Sequence, residues 1–304
     1  MTSALAPALR RRLKGVIPGL RALASPYPPG HYHSPLPDLA EVRAREADIF
    51  AMPSELPGID LRPAAQLELL AEFAKFSAEL PWGPAQETGL RYRLDNGWFA
   101  HGDGVALYGM LRNFRPKRYV EVGSGWSSAA VLDVNDIFLG HDLEFTFIEP
   151  NPERLHSLLR PKDVDRVELV SRPVHQASPE IFGRLEAGDI LFIDSSHVSR
   201  IGSDVNYLFL EVIPSLPAGV HVHVHDIFYP FEYPREWVYR GRAWNENYLL
   251  RACLMNNDSL QITWFNSYLG AFHRAQVAAV LPSWGVDPGG SIWLQTRNQD
   301  HREQ

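Results

Sequence analysis

The sequence predicts an α/β protein built on a doubly wound, Rossmann-like parallel sheet, with an N-terminal helical and proline-rich extension. Three observations carry this reading. From residue 118 onward, short apolar runs alternate with helical patterns; the first run ends in Gly123-Ser124-Gly125 and passes directly into a helix; and later runs end in acidic or imidazole side chains. Strands separated by about ten helical residues need crossover connections, which are right-handed and give parallel sheets.

Composition sets the class. The 304 residues, 45% hydrophobic and 21% charged, suit a folded globular chain of one or two domains. No apolar run approaches the roughly 20 residues of a membrane span. The single cysteine, Cys253, leaves no internal disulfide or multi-cysteine metal cluster; it fits a cytoplasmic protein and reads as a small core residue. A net charge of −7 argues against nucleic acid as the principal partner. The basic cluster Arg10, Arg11, Arg12 and Lys14 lacks the continuous apolar stretch of a signal peptide and reads as an amphipathic helix.

Residues 1–62 form an arm, broken by Tyr27-Pro28-Pro29-Gly30 and Ser34-Pro35-Leu36-Pro37. His31 and His33 in it read as surface residues. Having poor prospects as an independent core, the arm suggests a homo-oligomer in which it embraces a second subunit. Residues 63–115 read as a helical lead-in packed on the core. Leu67, Leu69, Leu70, Phe73, Phe76 and Leu80 predict a helix over 63–80, and a second covers 104–114 with Asp103 as its cap.

The main domain, 116–304, carries strands at 118–122, 143–148, 167–170, 190–193 and 220–225, with helices at 127–137, 151–160, 178–186 and 203–215 between them. A helix over 242–256 and strands at 260–265 and 291–295 follow. Pro282-Ser283-Trp284-Gly285 and Pro288-Gly289-Gly290 mark residues 266–290 as loop.

Glycines at 123 and 125 let backbone approach a ligand, and the free N–H groups at a helix start attract oxygen-rich groups. Ser128 stands where a dinucleotide fingerprint has its third glycine, and Glu121 lies two residues before Gly123, which leans away from NAD. Glu149 ends the second strand, where a carboxylate can accept both ribose hydroxyls of a nucleoside. These residues resemble the first motif of the class I S-adenosylmethionine-dependent methyltransferases. The resemblance implies a seven-stranded methyltransferase sheet, with Glu121, Gly123, Ser124, Gly125 and Ser127 around the methionine half of S-adenosyl-L-methionine and Glu149 on its ribose.

Open sheets bind ligands beyond the carboxyl ends of their strands. There the fourth strand delivers Asp194-Ser195-Ser196-His197 and the fifth delivers His225-Asp226. Asp194 and Asp226 could share a divalent cation. The pattern resembles the metal-dependent catechol-type and macrolide-sugar O-methyltransferases, which implies metal ligation by these carboxylates and a general base at His197. An imidazole of ordinary pKa suits proton removal at neutral pH. One departure from that family is His225 beside Asp226, where the relatives have an acid or an amide. A ligand set of Asp194, His225 and Asp226 would favour zinc, iron, nickel or manganese over magnesium. His221 and His223 share a strand face with His225 and read as mid-strand histidines hydrogen-bonded to a covering helix.

After Asp226, six aromatic residues in the thirteen from Ile227 to Tyr239, with two prolines, predict a stiff lid, in which Phe228, Tyr229, Tyr233 and Arg235 face a substrate. The sequence thus predicts an enzyme that O-methylates a small hydroxylated molecule. Nitrogen acceptors, a non-catalytic binding protein on the same fold, and an NAD-dependent oxidoreductase are the competing readings.

Overall fold

The computed structural model describes residues 27–85 and 87–298; the basic cluster at 10–14 lies outside them. The described residues form two compact units, one of residues 27–51 with Arg235–Ala243, the other of Met52–Pro234 with residues 244–298. In this smaller unit, Asp38 caps the helix Leu39–Ala44 by accepting from the Ala40 N–H. The Tyr239 hydroxyl donates to Glu46, and the Arg43 guanidinium stacks 4.9 Å over the Tyr239 ring. His31 stacks on Tyr27 at 4.6 Å.

The larger unit opens with α1 (Pro63–Ala74) and α2 (His101–Phe114). The sheet then follows in order: β1 (Arg118–Val122), α3 (Trp126–Phe138), β2 (Glu144–Ile148), α4 (Glu153–Leu158), β3 (Val167–Val170), α5 (Glu180–Gly183), β4 (Ile190–Ile193), α6 (Asp204–Tyr207) and β5 (His221–Val224). Next come α7 (Glu246–Leu254), β6 (Leu260–Phe265), α8 (Asn266–Phe272), α9 (Arg274–Val280), α10 (Pro282–Val286) and β7 (Ile292–Thr296). The seven strands lie in the order β3-β2-β1-β4-β5-β7-β6, and only β7 runs antiparallel to its neighbours. This is the predicted doubly wound sheet. Its direction of winding reverses between β1 and β4, where such sheets bind ligands.

Register decides what meets at that crevice. Val122 of β1 pairs with Ile148 of β2 and Ile193 of β4, and Ile193 pairs with Val224 of β5. The next residues, Gly123, Glu149, Asp194 and His225, consequently leave the sheet in one row. β1, β2, β4 and β5 are largely buried runs of four or five residues that end at the same level of the sheet.

Several expectations are corrected. α2 is buried from Gly102 to Leu111. Asp103 lies inside α2 and does not cap it; Ala100 holds the N-cap position. The helix expected at 178–186 shrinks to Glu180–Gly183, between Pro179 and a C-terminal glycine. The one expected at 203–215 runs from α6 through a π-helical stretch, Leu208–Val212, to Ile213–Ser215. Residues 266–286, expected as loop, form α8, α9 and α10. Pro282 is at the start of α10, where its missing N–H costs nothing, and buried Trp284 donates to Asn266 Oδ1 at 2.9 Å.

Candidate active site

The turn after β1 is built from its own side chains. Gly123 has φ +86°, and its N–H donates to the Ile148 carbonyl at 3.0 Å. Gly125 stands at the N-cap of α3 and donates to Ser128 Oγ at 2.9 Å. Glu121 is fully buried below them, accepting at Oε1 from Ser127 Oγ (2.5 Å) and Ser128 Oγ (3.0 Å). Burial raises its carboxyl to about 8 against those two hydrogen bonds. Glu149 accepts from the N–H groups of Ser124 (3.2 Å) and Asn151 (2.7 Å), so β2 is fastened to the turn.

Beside this turn, three carboxylates surround one imidazole. His197 Nε2 lies 3.2 Å from Asp194 Oδ1 and 3.8 Å from Asp226 Oδ2, while Nδ1 lies 2.7 Å from Glu246 Oε2. The Trp244 indole packs on the ring at 4.4 Å between centroids. Burial lowers the His197 pKa, but hydrogen bonds to Asp194 and Glu246 outweigh it and hold the pKa well above its ordinary value. Burial likewise works to raise the Asp194 pKa, and His225 and His197 hold it below the usual carboxylate range.

His197 and Asp226 both have left-handed backbone, φ +58° and +57°. Non-glycine residues adopt it at a cost of about 1 kcal/mol or more. At His197 the surroundings enforce it, since the N–H groups of Asn245 and Glu246 both donate to its carbonyl, at 3.1 and 3.3 Å.

Residues 120–227 match the family model described as a methyltransferase domain. An uncharacterised protein of Archaeoglobus fulgidus is 34% identical over 172 residues, which is 55% of this chain and 76% of that protein. Residues 120–227 thus form a methyltransferase domain, and the chain is a relative of the archaeal protein. Among solved structures it is similar to a methyltransferase of Podospora anserina with S-adenosylhomocysteine bound, at 16% identity, 86% coverage of this chain, 98% of that one and a TM-score of 0.44. It is also similar to a CmcI structure holding magnesium and S-adenosylmethionine, at 20% identity, 76% and 90% coverage and a TM-score of 0.38.

The turn after β1 fits the S-adenosylmethionine that the sequence implies. Bare backbone at Gly123 and two buried oxygens without partners among the described residues, Ser124 Oγ and Glu121 Oε2, leave polar capacity for it. Ser127, expected on the cofactor, spends its hydroxyl on Glu121.

The residues do not fit a divalent metal. The space between Asp194 and Asp226 holds His197 Nε2, and His225 Nε2 reaches only Asp226, at 3.5 Å. Among the described residues no three or more His, Cys, Asp or Glu side chains are spaced to hold one. The expected ligands Asp194, His225 and Asp226 are thus not gathered into a metal-binding group among the described residues.

His223 is hydrogen-bonded to Ser291 Oγ at 2.8 Å, just before β7, and stacks on Phe192; its partner is not on a helix. His221 packs on Phe114 of α2. Burial lowers both pKa values, His221 to about 4, so both stay neutral. Asp103 accepts from Ser291 Oγ (2.6 Å) and Asn266 Nδ2 (3.0 Å), and burial raises it to about 6.

The expected lid is largely core. Tyr229, Phe231 and Tyr233 are buried, and Tyr229 packs on Phe265, Tyr268 and Phe272. Phe228 is half-buried, its N–H donating to Asn247 Oδ1 at 3.1 Å. Arg235 belongs to the smaller unit, 3.6 Å from Glu46. Cys253 is half-buried against the core.

Sequence reasoning missed Trp244, Asn245 and Glu246. They lie almost fifty residues beyond His197, and no spacing rule links them to it. The one available signal was a helix opening with an acidic residue after a tryptophan, which is too common to single out.

Proposed function

We propose that the enzyme transfers a methyl group to a hydroxyl oxygen of a small molecule, with His197 Nε2 receiving the hydroxyl proton. The reading rests on one observation: Nε2 stands between the carboxylates that end β4 and β5, next to the glycine turn of the cofactor site.

When bound, S-adenosylmethionine supplies a sulfonium methyl that an acceptor oxygen takes in line, the carbon–sulfur bond breaking as the carbon–oxygen bond forms. The chain's part is positioning and proton handling. Glu149 would accept the ribose hydroxyls, and the backbone of the Gly123–Gly125 turn would lie against the methionine half. Asp194 and Asp226 would accept hydrogen bonds from hydroxyls of the acceptor. Asp194 and Glu246 hold the His197 pKa well above its ordinary value, so proton acceptance requires a pH at which Nε2 is free.

Transfer from labelled S-adenosylmethionine to a panel of catechols, sugars and hydroxylated aromatics tests the reading, with His197→Ala as control. Turnover that disappears in the variant while S-adenosylmethionine still binds is the expected result. Undiminished turnover in His197→Ala, or label found only on nitrogen, would overturn it.

A further inference from the structure

We infer that Glu246 is the positioning residue for His197: it keeps a proton on Nδ1, so that Nε2 is the ring nitrogen that takes up and gives back the acceptor's proton. This rests on the reading of His197 given above.

Glu246 is completely buried, and its Oε2 meets Nδ1 at 2.7 Å, the shortest of the three imidazole contacts. Its other oxygen, Oε1, accepts from Ser195 Oγ at 3.4 Å. Asp194 and Asp226 keep 33% and 17% of their side-chain surface exposed, against 0% for Glu246. An exposed carboxylate can turn to water or substrate, whereas a buried one cannot lose its donor without a large desolvation penalty. The Nδ1 proton is therefore the costly one to remove.

The backbone supports the same assignment. Asn245 and Glu246 donate their N–H groups to the His197 carbonyl. The Asn245 side chain clasps Ser199 on both sides, accepting from its N–H at 2.6 Å and donating to its carbonyl at 3.2 Å. Ser196 is held in turn by Asp204, through its N–H at 2.9 Å and its hydroxyl at 2.5 Å. His197 and Ser199 are thus fixed to the start of α7, and Ser196 to the start of α6. The titratable groups around it are Glu246 at Nδ1, Asp194 and Asp226 at Nε2, and His225 next to Asp226.

The test needs no variant at first. In protein labelled with ¹⁵N-histidine, the His197 ring signals are followed as pH is raised; Nδ1 should stay protonated throughout, and Nε2 should be the nitrogen that changes. Loss of the proton from Nδ1 overturns the inference. Glu246→Gln then supplies the kinetic test. Its kcat should fall about 100-fold or more while the KM for the acceptor and the Kd for S-adenosylmethionine change less than about threefold, and Glu246→Asp should recover part of the rate. A kcat unchanged in Glu246→Gln overturns this inference alone. Full turnover in His197→Ala overturns the role of His197 as well, so the two failures are distinguishable. Unfolding midpoints of both Glu246 variants separate misfolding from lost positioning, and the wild-type tautomer decides the matter if neither variant folds.

Discussion

The carbonyl oxygen of Asp194 occupies the space beside Gly123 that any side chain would need. A β carbon on Gly123 would lie 1.7 Å from that oxygen, and the Asp194 N–H donates to the Val122 carbonyl at 2.8 Å. The turn after β1 and the end of β4 are therefore one packing unit. Gly123→Ala combines this collision with a positive φ and should cost about 2–4 kcal/mol. Chemical denaturation would show the loss, and calorimetry should find S-adenosylmethionine binding abolished in whatever protein folds.

Glu149→Ala should weaken S-adenosylmethionine binding about 10-fold or more, because the ribose loses its acceptor and the Ser124 N–H its partner. Glu121→Gln should bind the cofactor nearly as well as wild type, since the amide oxygen can accept from Ser127 and Ser128 in the same way. A large loss of affinity on titrating Glu121→Gln would mean that Oε2 itself contacts the cofactor.

The pH dependence follows from His197. A base whose folded pKa is raised stays protonated to higher pH, so kcat should climb on the alkaline side of neutrality and not level off near the ordinary imidazole value. The same shift acts on stability. A raised imidazole pKa contributes stabilisation that is complete below its unfolded value and disappears as pH rises through the folded one. A rate already at its plateau at pH 6 would contradict the assignment.

Because His197 Nε2 fills the space between Asp194 and Asp226, chelator treatment should leave turnover and cofactor affinity unchanged. Restoration of a lost rate by added magnesium, manganese or zinc would show that the histidine gives way to a metal.

Arg91 anchors the segment that precedes α2. Its buried guanidinium is 2.8 Å from Asp133, 2.8 Å from Asp136 and 2.5 Å from Asp163. Arg91→Met leaves buried carboxylates without their cation and should destabilise the fold by about 3–5 kcal/mol. Although burial works to raise the pKa values of Asp136 and Asp163, their partners hold both below the ordinary value. The stabilisation is present above the unfolded carboxylate pKa and is lost as pH falls through the depressed ones. Urea midpoints of wild type should drop steeply in acid, and those of Arg91→Met much less.

Alternating apolar runs, Gly123-Ser124-Gly125 and the acids at strand ends were enough to place all seven strands to within a residue or two and to put Glu149, Asp194, His197 and Asp226 at or just beyond the strand ends, while Glu121 lies buried beneath the turn. These are local signals, set by strand periodicity and turn chemistry. Residues 266–286 were less legible, because a proline that opens a helix and one that breaks a loop look alike until Trp284 is seen to be buried.

What the sequence determined by itself was the order of elements and the chemistry available at each strand end, since hydrophobic period and glycine placement act within a few residues. Only the tertiary structure decided which groups share protons. Glu246 reaches His197 through packing of α7 against the β4 end, the imidazole then stands where a metal ligand set was expected, and the aromatic residues after Asp226 turn into the core. Those outcomes depend on contacts between segments far apart in the chain, where burial makes an unpaired carboxylate so costly that its nearest donor fixes both the geometry and the protonation of the site.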